Sequence, residues 1–244
     1  MNAAYDQRPR VGKDYIAIIG IFIVLLATVV PVGMIGVYFF DVERKYMAYL
    51  NFWVFDISMY GMMITPWLPL KSLQKFTNWH RLTLMVQTWM VTYTITAFTY
   101  EVPWVLFWET IAKHPDAVWT YMWTVYVEGG DIRYANPSFF VLAAETSACI
   151  VAFITLAALY VWFKSGQTST KAVYALMLCA ALHMWPTIYY YTDEILHGFP
   201  HVDTEVISNF YGKFILSNSL WLWMPAVVWY WGTQTLPRLY KAQP

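Results

Sequence analysis

Long stretches without charged side chains constrain this chain more than any other feature of its sequence. Residues 15–40 contain no Asp, Glu, Lys or Arg, and this stretch exceeds the roughly 20 residues that a helix needs to cross a bilayer. Further long apolar stretches follow along the chain. We therefore predict six membrane-spanning helices, at residues 15–40, 49–70, 82–100, 138–163, 172–191 and 214–232.

The composition supports the membrane class. Hydrophobic residues make up 59% of the 244 residues and charged residues 12%, whereas soluble domains carry about 25% charged residues. The formal net charge is zero, which gives no electrostatic reason to expect nucleic acid as a partner. We predict an all-α integral membrane protein whose partners are membrane lipid and a hydrophobic small molecule. The sequence leaves a homodimer open.

The basic residues predict the orientation of these helices. With six spans, the N-terminus, the second and fourth loops and the C-terminus share one side of the membrane and hold ten Lys and Arg residues. The opposite side holds five. Because Lys and Arg accumulate in cytoplasmic loops, we predict that both termini are cytoplasmic. The membrane would be that of the endoplasmic reticulum in a eukaryote or the cytoplasmic membrane in a bacterium.

The chain divides into four parts. We predict a polar segment at 1–14, two N-terminal transmembrane helices within 15–80, a helical bundle at 81–234 and a tail at 235–244. Inside the bundle, residues 102–137 mix charged residues with many aromatic residues. This mixture is typical of an interfacial loop or an amphipathic helix rather than of another span.

Glu145 is the most unusual residue of the apolar stretches. It lies in FFVLAAETSACIVAF, residues 139–153, where only Thr146 and Ser147 are also polar. An ionisable group at such a depth costs roughly 2.5–3.5 kcal/mol on insertion scales, so it usually faces a cavity or a partner. The alternative is a structural hydrogen bond to a neighbouring helix.

Other predicted helices place polar groups at the depth of Glu145, in the half of the bilayer that faces away from the cytoplasm. These groups are Asp56, Glu101, His183 and Asn218. Each has a structural interpretation by itself, as an interfacial acid or as a hydrogen-bonding residue within the bundle. Together they predict a shared pocket. Trp221, three residues after Asn218, shares its helix face and would add an aromatic wall.

Two carboxyl groups in an apolar, aromatic cavity suit proton transfer to and from a hydrocarbon. A carboxyl group kept neutral by its surroundings could protonate an alkene or epoxide, aromatic rings would stabilise the cation, and a second carboxylate would remove a proton elsewhere. The same groups could hold a lipophilic amine. The chain has no Gly-rich phosphate loop, no G-x-S-x-G and no H-E-x-x-H, and Cys149 and Cys179 lie in apolar stretches. We therefore predict no cofactor, no metal and no disulfide.

Four segments resemble one known family. They are YVEGGDIRY at 126–134, AAETSAC at 143–149, YYYTDEILHGFPH at 189–201 and FILSNSLWLWMP at 214–225. Their order and spacing are similar to those of the emopamil-binding protein family, the EXPERA group. This family includes the sterol Δ8–Δ7 isomerase and a sigma-type receptor relative. The resemblance covers approximately residues 81–232.

The resemblance implies a reaction and the residues that perform it. In the isomerase, a membrane acid protonates the sterol double bond, and a proton then leaves a neighbouring carbon. The family's two glutamates fall on Glu101 and Glu145. Its last-helix asparagine falls on Asn218, which would orient a carboxyl group or a substrate hydroxyl. Its tryptophan falls on Trp221, which would stabilise the cation.

The sequence also departs from the family. Ala97 stands where the isomerase has a histidine, so that histidine is missing unless His183 replaces it from a neighbouring helix. The chain also has one more N-terminal span than the isomerase's five helices. The family's Thr-Glu pair is similar to Thr192-Asp193, and its G-D-S-R-Y loop is similar to the G-D-I-R-Y sequence here.

These observations lead to one predicted function and two alternatives. We predict that the protein shifts a carbon–carbon double bond in a sterol or terpenoid, with Glu101 and Glu145 as an acid/base pair of unassigned order. Asp193, His183 and Asp56 are further candidate substrate-binding residues. The alternatives are an integral-membrane terpenoid cyclase, started by protonation of an alkene or epoxide, and a non-enzymatic protein that binds sterols or lipophilic amines.

Overall fold

The chain folds into helices throughout the part that the structure describes. A computed structural model describes residues 10–128 and 130–242, and within these ranges no strand is present. The α-helices are Lys13–Phe40 (α1), Arg44–Ile64 (α2), Asn78–Thr96 (α3), Val102–Lys113 (α4), Tyr121–Glu128 (α5), Phe139–Lys164 (α6), Thr170–His197 (α7) and Asn218–Ala242 (α8). The prediction of an all-α fold is confirmed for these residues.

Three helices are long and apolar enough to cross a membrane. They are α1, α6 and α7, and they coincide with the first, fourth and fifth predicted spans. The other predicted spans coincide with α2, α3 and α8. No other helix in the described ranges meets both criteria of length and hydropathy. The apolar helices therefore support a membrane protein, while the count of six spans remains a prediction.

Capping residues explain where α6 and α7 begin and where α7 ends. Ser138 and Ser169 precede these helices, and each hydroxyl accepts a hydrogen bond from a backbone N–H three residues further on, which satisfies a donor that the first turn leaves free. α7 ends at Gly198, whose φ of 74° is a left-handed conformation that glycine adopts readily. α7 therefore continues past the predicted boundary at residue 191 and includes Asp193 and Glu194.

Other segments differ from the prediction mainly in their extents. α8 continues to Ala242, so the predicted tail at 235–244 is helical as far as the structure describes it. The segment 102–137 contains α4 and α5, both short helices, in keeping with its predicted character. Of the predicted polar segment 1–14, residues 1–9 lie outside the described residues.

Two π-helical segments interrupt the regular helices. Ala97–Glu101 joins α3 to α4, and Ser208–Ser217 leads directly into α8. Pro103 lies just after the first segment, and proline neither donates a backbone hydrogen bond nor tolerates the carbonyl four residues before it. The wider π-helical turn before Pro103 avoids this clash. π-Helical turns often lie at functional sites. Glu101 is the last residue of the first segment, and Asn218 directly follows the second.

The densest core lies in the half of the bundle near the turn at 165–169. It combines the start of α3 and of α7 with the end of α6 and of α8. Trp162 and Trp231 are fully buried there and meet edge to face, with ring centroids 5.4 Å apart. The Trp231 indole N–H donates to the Thr83 hydroxyl at 3.0 Å. This packing fills one half of the bundle and leaves the other half to the cavity described below.

α1 packs mainly on α2 and also touches α5. At Gly33, α1 approaches the Tyr121 side chain so closely that a Cβ atom would overlap the phenol group. Tyr121 is fully buried, and its hydroxyl accepts a hydrogen bond from the Asn51 side chain at 3.4 Å. The phenol therefore has little freedom to move away. At Gly20, by contrast, an added Cβ would meet nothing within 4 Å.

We expect Gly33→Ala to lower the thermal stability of the protein and Gly20→Ala not to lower it. Both substitutions gain helix propensity, but only the first inserts a methyl group into occupied space, where overpacking costs about 1–3 kcal/mol. The measurement is the thermal unfolding midpoint of the purified protein in detergent. Equal midpoints for the two variants would contradict the close contact between α1 and α5.

Candidate functional site

A large cavity lies within the helical bundle. Its volume is about 1600 Å³, and its walls come from α1, α2, α3, α5, α6, α7 and α8, from both π-helical segments and from the loop that precedes α6. Ligand pockets usually measure about 300–1,000 Å³, so this cavity can hold a large lipid. Ile23 on α1 and Val91 and Ile95 on α3 belong to its wall, and each of these side chains is more than one-third exposed. The cavity is therefore open rather than fully enclosed.

The cavity brings together most of the site residues predicted from the sequence. The residues in its wall are Glu101, Glu145, His183, Asp193, Asn218 and Trp221. Asp56 is not in the wall. It is buried behind the wall, where its carboxylate accepts a hydrogen bond from the Ser217 hydroxyl at 2.7 Å. Ser217 lines the cavity, so Asp56 contacts the site through this one residue.

Glu145 lies two turns into α6, as the Ser138 cap dictates, and is partly exposed to the cavity. The Tyr134 hydroxyl donates a hydrogen bond to Glu145 Oε1 at 2.5 Å. Tyr134 is held by aromatic neighbours on two sides, with ring centroids 5.0 Å from Trp104 and 4.6 Å from Tyr126. One oxygen of Glu145 is therefore fixed by a donor that cannot easily move.

Glu101 is at the end of the first π-helical segment and is 8% exposed. Its Oε2 atom has no hydrogen-bond partner among the described residues, and neither has the hydroxyl of the adjacent Tyr100. Glu101 and Glu145 are near enough to interact electrostatically. The cavity therefore holds two carboxyl groups, one with a protein donor and one with a free oxygen.

Asn218 and Trp221 contribute differently to the wall. The Asn218 side-chain amide donates to the backbone carbonyls of Lys213 and Phe214 at 2.8 and 3.3 Å, so it also stabilises the π-helical segment before α8. Trp221 meets Trp89 edge to face at 4.7 Å. Its indole ring forms an aromatic surface one turn along α8 from Asn218.

His183 is buried at 5% exposure between two aromatic rings. The centroid of its ring lies 4.2 Å from that of Tyr93 and 6.1 Å from that of Trp221. Neither ring nitrogen has a hydrogen-bond partner among the described residues. Tyr93 lies on α3 one turn before Ala97, so His183 on α7 packs close to that part of the chain.

A buried network of charged residues adjoins the cavity, and the sequence did not predict it. Arg133 donates to both oxygens of Asp131, each at 2.8 Å, and pairs with Glu194 at 3.0 Å. Lys213 Nζ lies 3.3 Å from Asp131, and His201 Nδ1 lies 2.7 Å from Glu194. Asp131, Glu194 and Lys213 are fully buried. The carboxyl groups of Asp131 and Glu194 thus lie beside the Arg133 guanidinium, and Asp131 also lies beside the Lys213 amine.

Asp193 and Glu194 are adjacent on α7 but differ in burial. Asp193, a candidate substrate-binding residue, lines the cavity, and its side chain is 44% exposed and lies 4.0 Å from Arg133. The neighbouring Glu194 is the buried acid. Asp131, Arg133 and Tyr134 lie in the G-D-I-R-Y sequence, and no role is predicted for them from the sequence. Their spacing and their position just before α6 are the sequence features that point to them.

Three side chains beside the cavity could also contribute metal ligands. Asp193, Glu194 and His201 offer ligand atoms that lie within 4.8 Å of one another. Glu194 already pairs with the Arg133 guanidinium at 3.0 Å and with the imidazole of His201. A divalent cation would have to compete with that guanidinium, so the donor set fits an ion-pair network better than a metal centre.

Comparison with known proteins finds no family model and no curated protein that matches this chain. The resemblance to the emopamil-binding family therefore rests on the four sequence segments alone.

We expect Glu194→Gln to destabilise the protein far more than Asp193→Asn. Removing one member of a buried charge network leaves the others uncompensated and costs about 3–5 kcal/mol, whereas a half-exposed pair contributes about 0–1 kcal/mol. Resistance to denaturation by detergent and the thermal unfolding midpoint measure this difference. Because the two residues are adjacent, each variant controls for the other. Similar losses in both would contradict the structural role of Glu194.

Proposed function

We propose that this protein is an integral membrane enzyme of the EXPERA type that shifts a carbon–carbon double bond in a sterol or terpenoid by proton transfer. The observation that supports it is the presence of two carboxyl groups, Glu101 and Glu145, in one apolar cavity that is walled by aromatic rings. A cavity of this size between helices suits a water-insoluble substrate, which would enter from the bilayer.

The hydrogen bonds of the two carboxyl groups suggest how the roles are divided. Glu145 accepts a hydrogen bond from Tyr134, which is the partner that a carboxylate requires. Glu101 has an oxygen without a protein partner, which suits a carboxylic acid that donates its proton to the substrate. We therefore assign Glu101 as the acid and Glu145 as the base.

The proposed reaction conserves atoms and charge. Glu101 gives its proton to one carbon of the double bond, and the adjacent carbon becomes cationic. Trp221 and the nearby rings stabilise this cation through their π faces. Glu145 then removes a proton from a neighbouring carbon, and the double bond forms in its new position. The proton passes from Glu145 back to Glu101 before the next turnover, so no cofactor is consumed.

The proposal includes the membrane topology. Six helices would cross the bilayer with both termini in the cytoplasm, as the distribution of Lys and Arg indicates. The cavity residues would then lie in the half of the bilayer that faces away from the cytoplasm. The host membrane would be that of the endoplasmic reticulum or the bacterial cytoplasmic membrane.

The cavity volume favours a second candidate, a terpenoid cyclase. A cavity of about 1600 Å³ exceeds the usual range for compact ligands and could hold a folded linear chain. Such an enzyme would use the same acid to protonate an alkene or epoxide. It would convert a linear prenylated substrate into a ringed product of unchanged mass and would leave sterols unchanged.

We expect both Glu101→Gln and Glu145→Gln to reduce the turnover of a Δ8 sterol by about 10²–10⁴-fold, the usual contribution of a general acid or base. The measurement is conversion by membranes that contain the protein, in heavy water, with deuterium incorporation followed by mass spectrometry. Glu109→Gln, an exposed acid on α4, is the matched control and should retain full activity.

The variants also separate the alternatives. Full conversion by Glu145→Gln would exclude its role as the base. Conversion by the unmodified protein without deuterium incorporation would exclude proton exchange with water during the reaction. If no sterol is converted but a linear prenylated substrate gains rings, the cyclase is correct.

We expect Trp221→Leu to weaken the binding of a lipophilic tertiary amine about tenfold. A cation over an aromatic face gains about 1–2 kcal/mol when it is desolvated, and Leu keeps the apolar volume without the π face. The dissociation constant in detergent or nanodiscs measures this loss. Trp229→Leu, at a 44% exposed position on the same helix, is the control. Equal affinities for the two variants would show that Trp221 does not face the cation.

A further inference from the structure

His183 is one of the polar residues of the cavity wall that lack a hydrogen-bond partner. Both of its ring nitrogens are without a hydrogen bond among the described residues, although the side chain is only 5% exposed. Glu101 Oε2 and the Tyr100 hydroxyl are also without a partner, whereas Glu145 and Asn218 have partners within the protein. Buried polar groups in native proteins almost always have a partner, and each exception needs an explanation.

The position of His183 relative to the carboxyl groups can be inferred from its neighbour Tyr93. The Tyr93 hydroxyl donates to the carbonyl of Ala148 at 2.9 Å, and Ala148 follows Glu145 by three residues on α6. Three residues of α-helix correspond to a rise of about 4.5 Å. His183, which packs on the Tyr93 ring, therefore lies roughly one helical turn deeper in the bundle than Glu145.

The surroundings of His183 limit the chemistry of its partner. Tyr93 and Trp221 flank the ring, and Glu101 and Glu145 line the same cavity. An anionic group would be repelled by these carboxyl groups, and a cationic group would bind to them instead. A neutral oxygen function remains. A neutral imidazole has one donor and one acceptor nitrogen, and a hydroxyl group can satisfy either.

A metal ion is a poorer explanation for the free nitrogens. In the part of the chain that the structure describes, the group of side chains able to hold a metal is Asp193, Glu194 and His201. His183 does not belong to it. The site therefore offers one imidazole between aromatic rings, and this imidazole can form a hydrogen bond with a ligand.

We propose that His183 hydrogen-bonds a hydroxyl group of the substrate and thereby selects lipid alcohols over hydrocarbons of the same shape. This inference rests on the proposed function, because it takes the ligand of the cavity to be a sterol or terpenoid. It adds that the substrate carries a hydroxyl group about one helical turn from the double bond that reacts. His183 is a specificity-determining residue in this arrangement, and the carboxyl groups perform the chemistry.

The test compares two probes, a Δ8 sterol with a 3-hydroxyl group and the same sterol without it. Affinity is measured in nanodiscs for the unmodified protein and for three variants. His183→Leu removes both nitrogens, His183→Gln keeps a donor and an acceptor but cannot be protonated, and His114→Gln alters an exposed loop histidine as a control. Thermal unfolding midpoints establish that each variant is folded.

We expect the unmodified protein and His114→Gln to bind the alcohol at least tenfold more tightly than the deoxy sterol. His183→Leu should lose this preference by weakening alcohol binding alone, and His183→Gln should restore part of it. Equal weakening of both probes in His183→Leu would overturn the inference, since it would indicate a packing role. Unchanged preference would overturn it as well.

Two outcomes separate this inference from the proposed reaction. If the unmodified protein binds neither sterol, the inference is overturned, whatever the reaction is. If it binds both with the expected preference and that preference depends on His183, the inference is supported. It is supported even when no sterol is converted, and in that case only the proposed isomerisation fails.

Discussion

The ion pairs around Arg133 and Asp131 connect three of the parts of the chain that line or adjoin the cavity. Arg133 and Asp131 come from the loop before α6, Glu194 from the end of α7, and Lys213 from the π-helical segment before α8. Charges buried in this way cost several kcal/mol each in lost hydration and are stable only when they are paired with good geometry. Arg133 meets that condition, because its guanidinium pairs with Asp131 at 2.8 Å and with Glu194 at 3.0 Å. Because Tyr134 follows Arg133 directly, the network also fixes the donor that reaches Glu145.

The candidate functional residues Glu101 and His183 differ in their hydrogen bonding from Asp131, Glu194 and Arg133. Asp131, Glu194 and Arg133 use their hydrogen-bonding capacity within the protein. Glu101 and His183 keep free atoms at the cavity wall. A buried polar atom without a partner costs about 1–3 kcal/mol, so such atoms persist where a ligand or a reaction requires them. This difference, more than residue type, supports the proposed roles of Glu101 and His183.

The sequence predicts the cavity residues well because an acid in a long apolar stretch is visible without any knowledge of the fold. Glu145 and Glu101 were found in this way, and their assembly into one cavity follows from helices that each carry a polar group at similar depth. Asp56 has the same local pattern but lies behind the wall, on Ser217. The face of α2 that meets the cavity is set by packing between residues more than 150 positions apart in the sequence. The hydropathy pattern does not show which residues pack together over such a separation.

The sequence holds a signal for Glu194 that depends on where α7 ends. With the helix ended at residue 191, both Asp193 and Glu194 belong to a loop. With α7 extended to His197, the residues at intervals of four, three and four from His183 are Thr187, Tyr190 and Glu194. These share one face of a helix. Thr187 and Glu194 are buried, and Tyr190 donates to Asp131 at 2.9 Å. Asp193 lies about 100° around the helix, so helical periodicity alone would have identified Glu194 once the Gly198 cap was recognised.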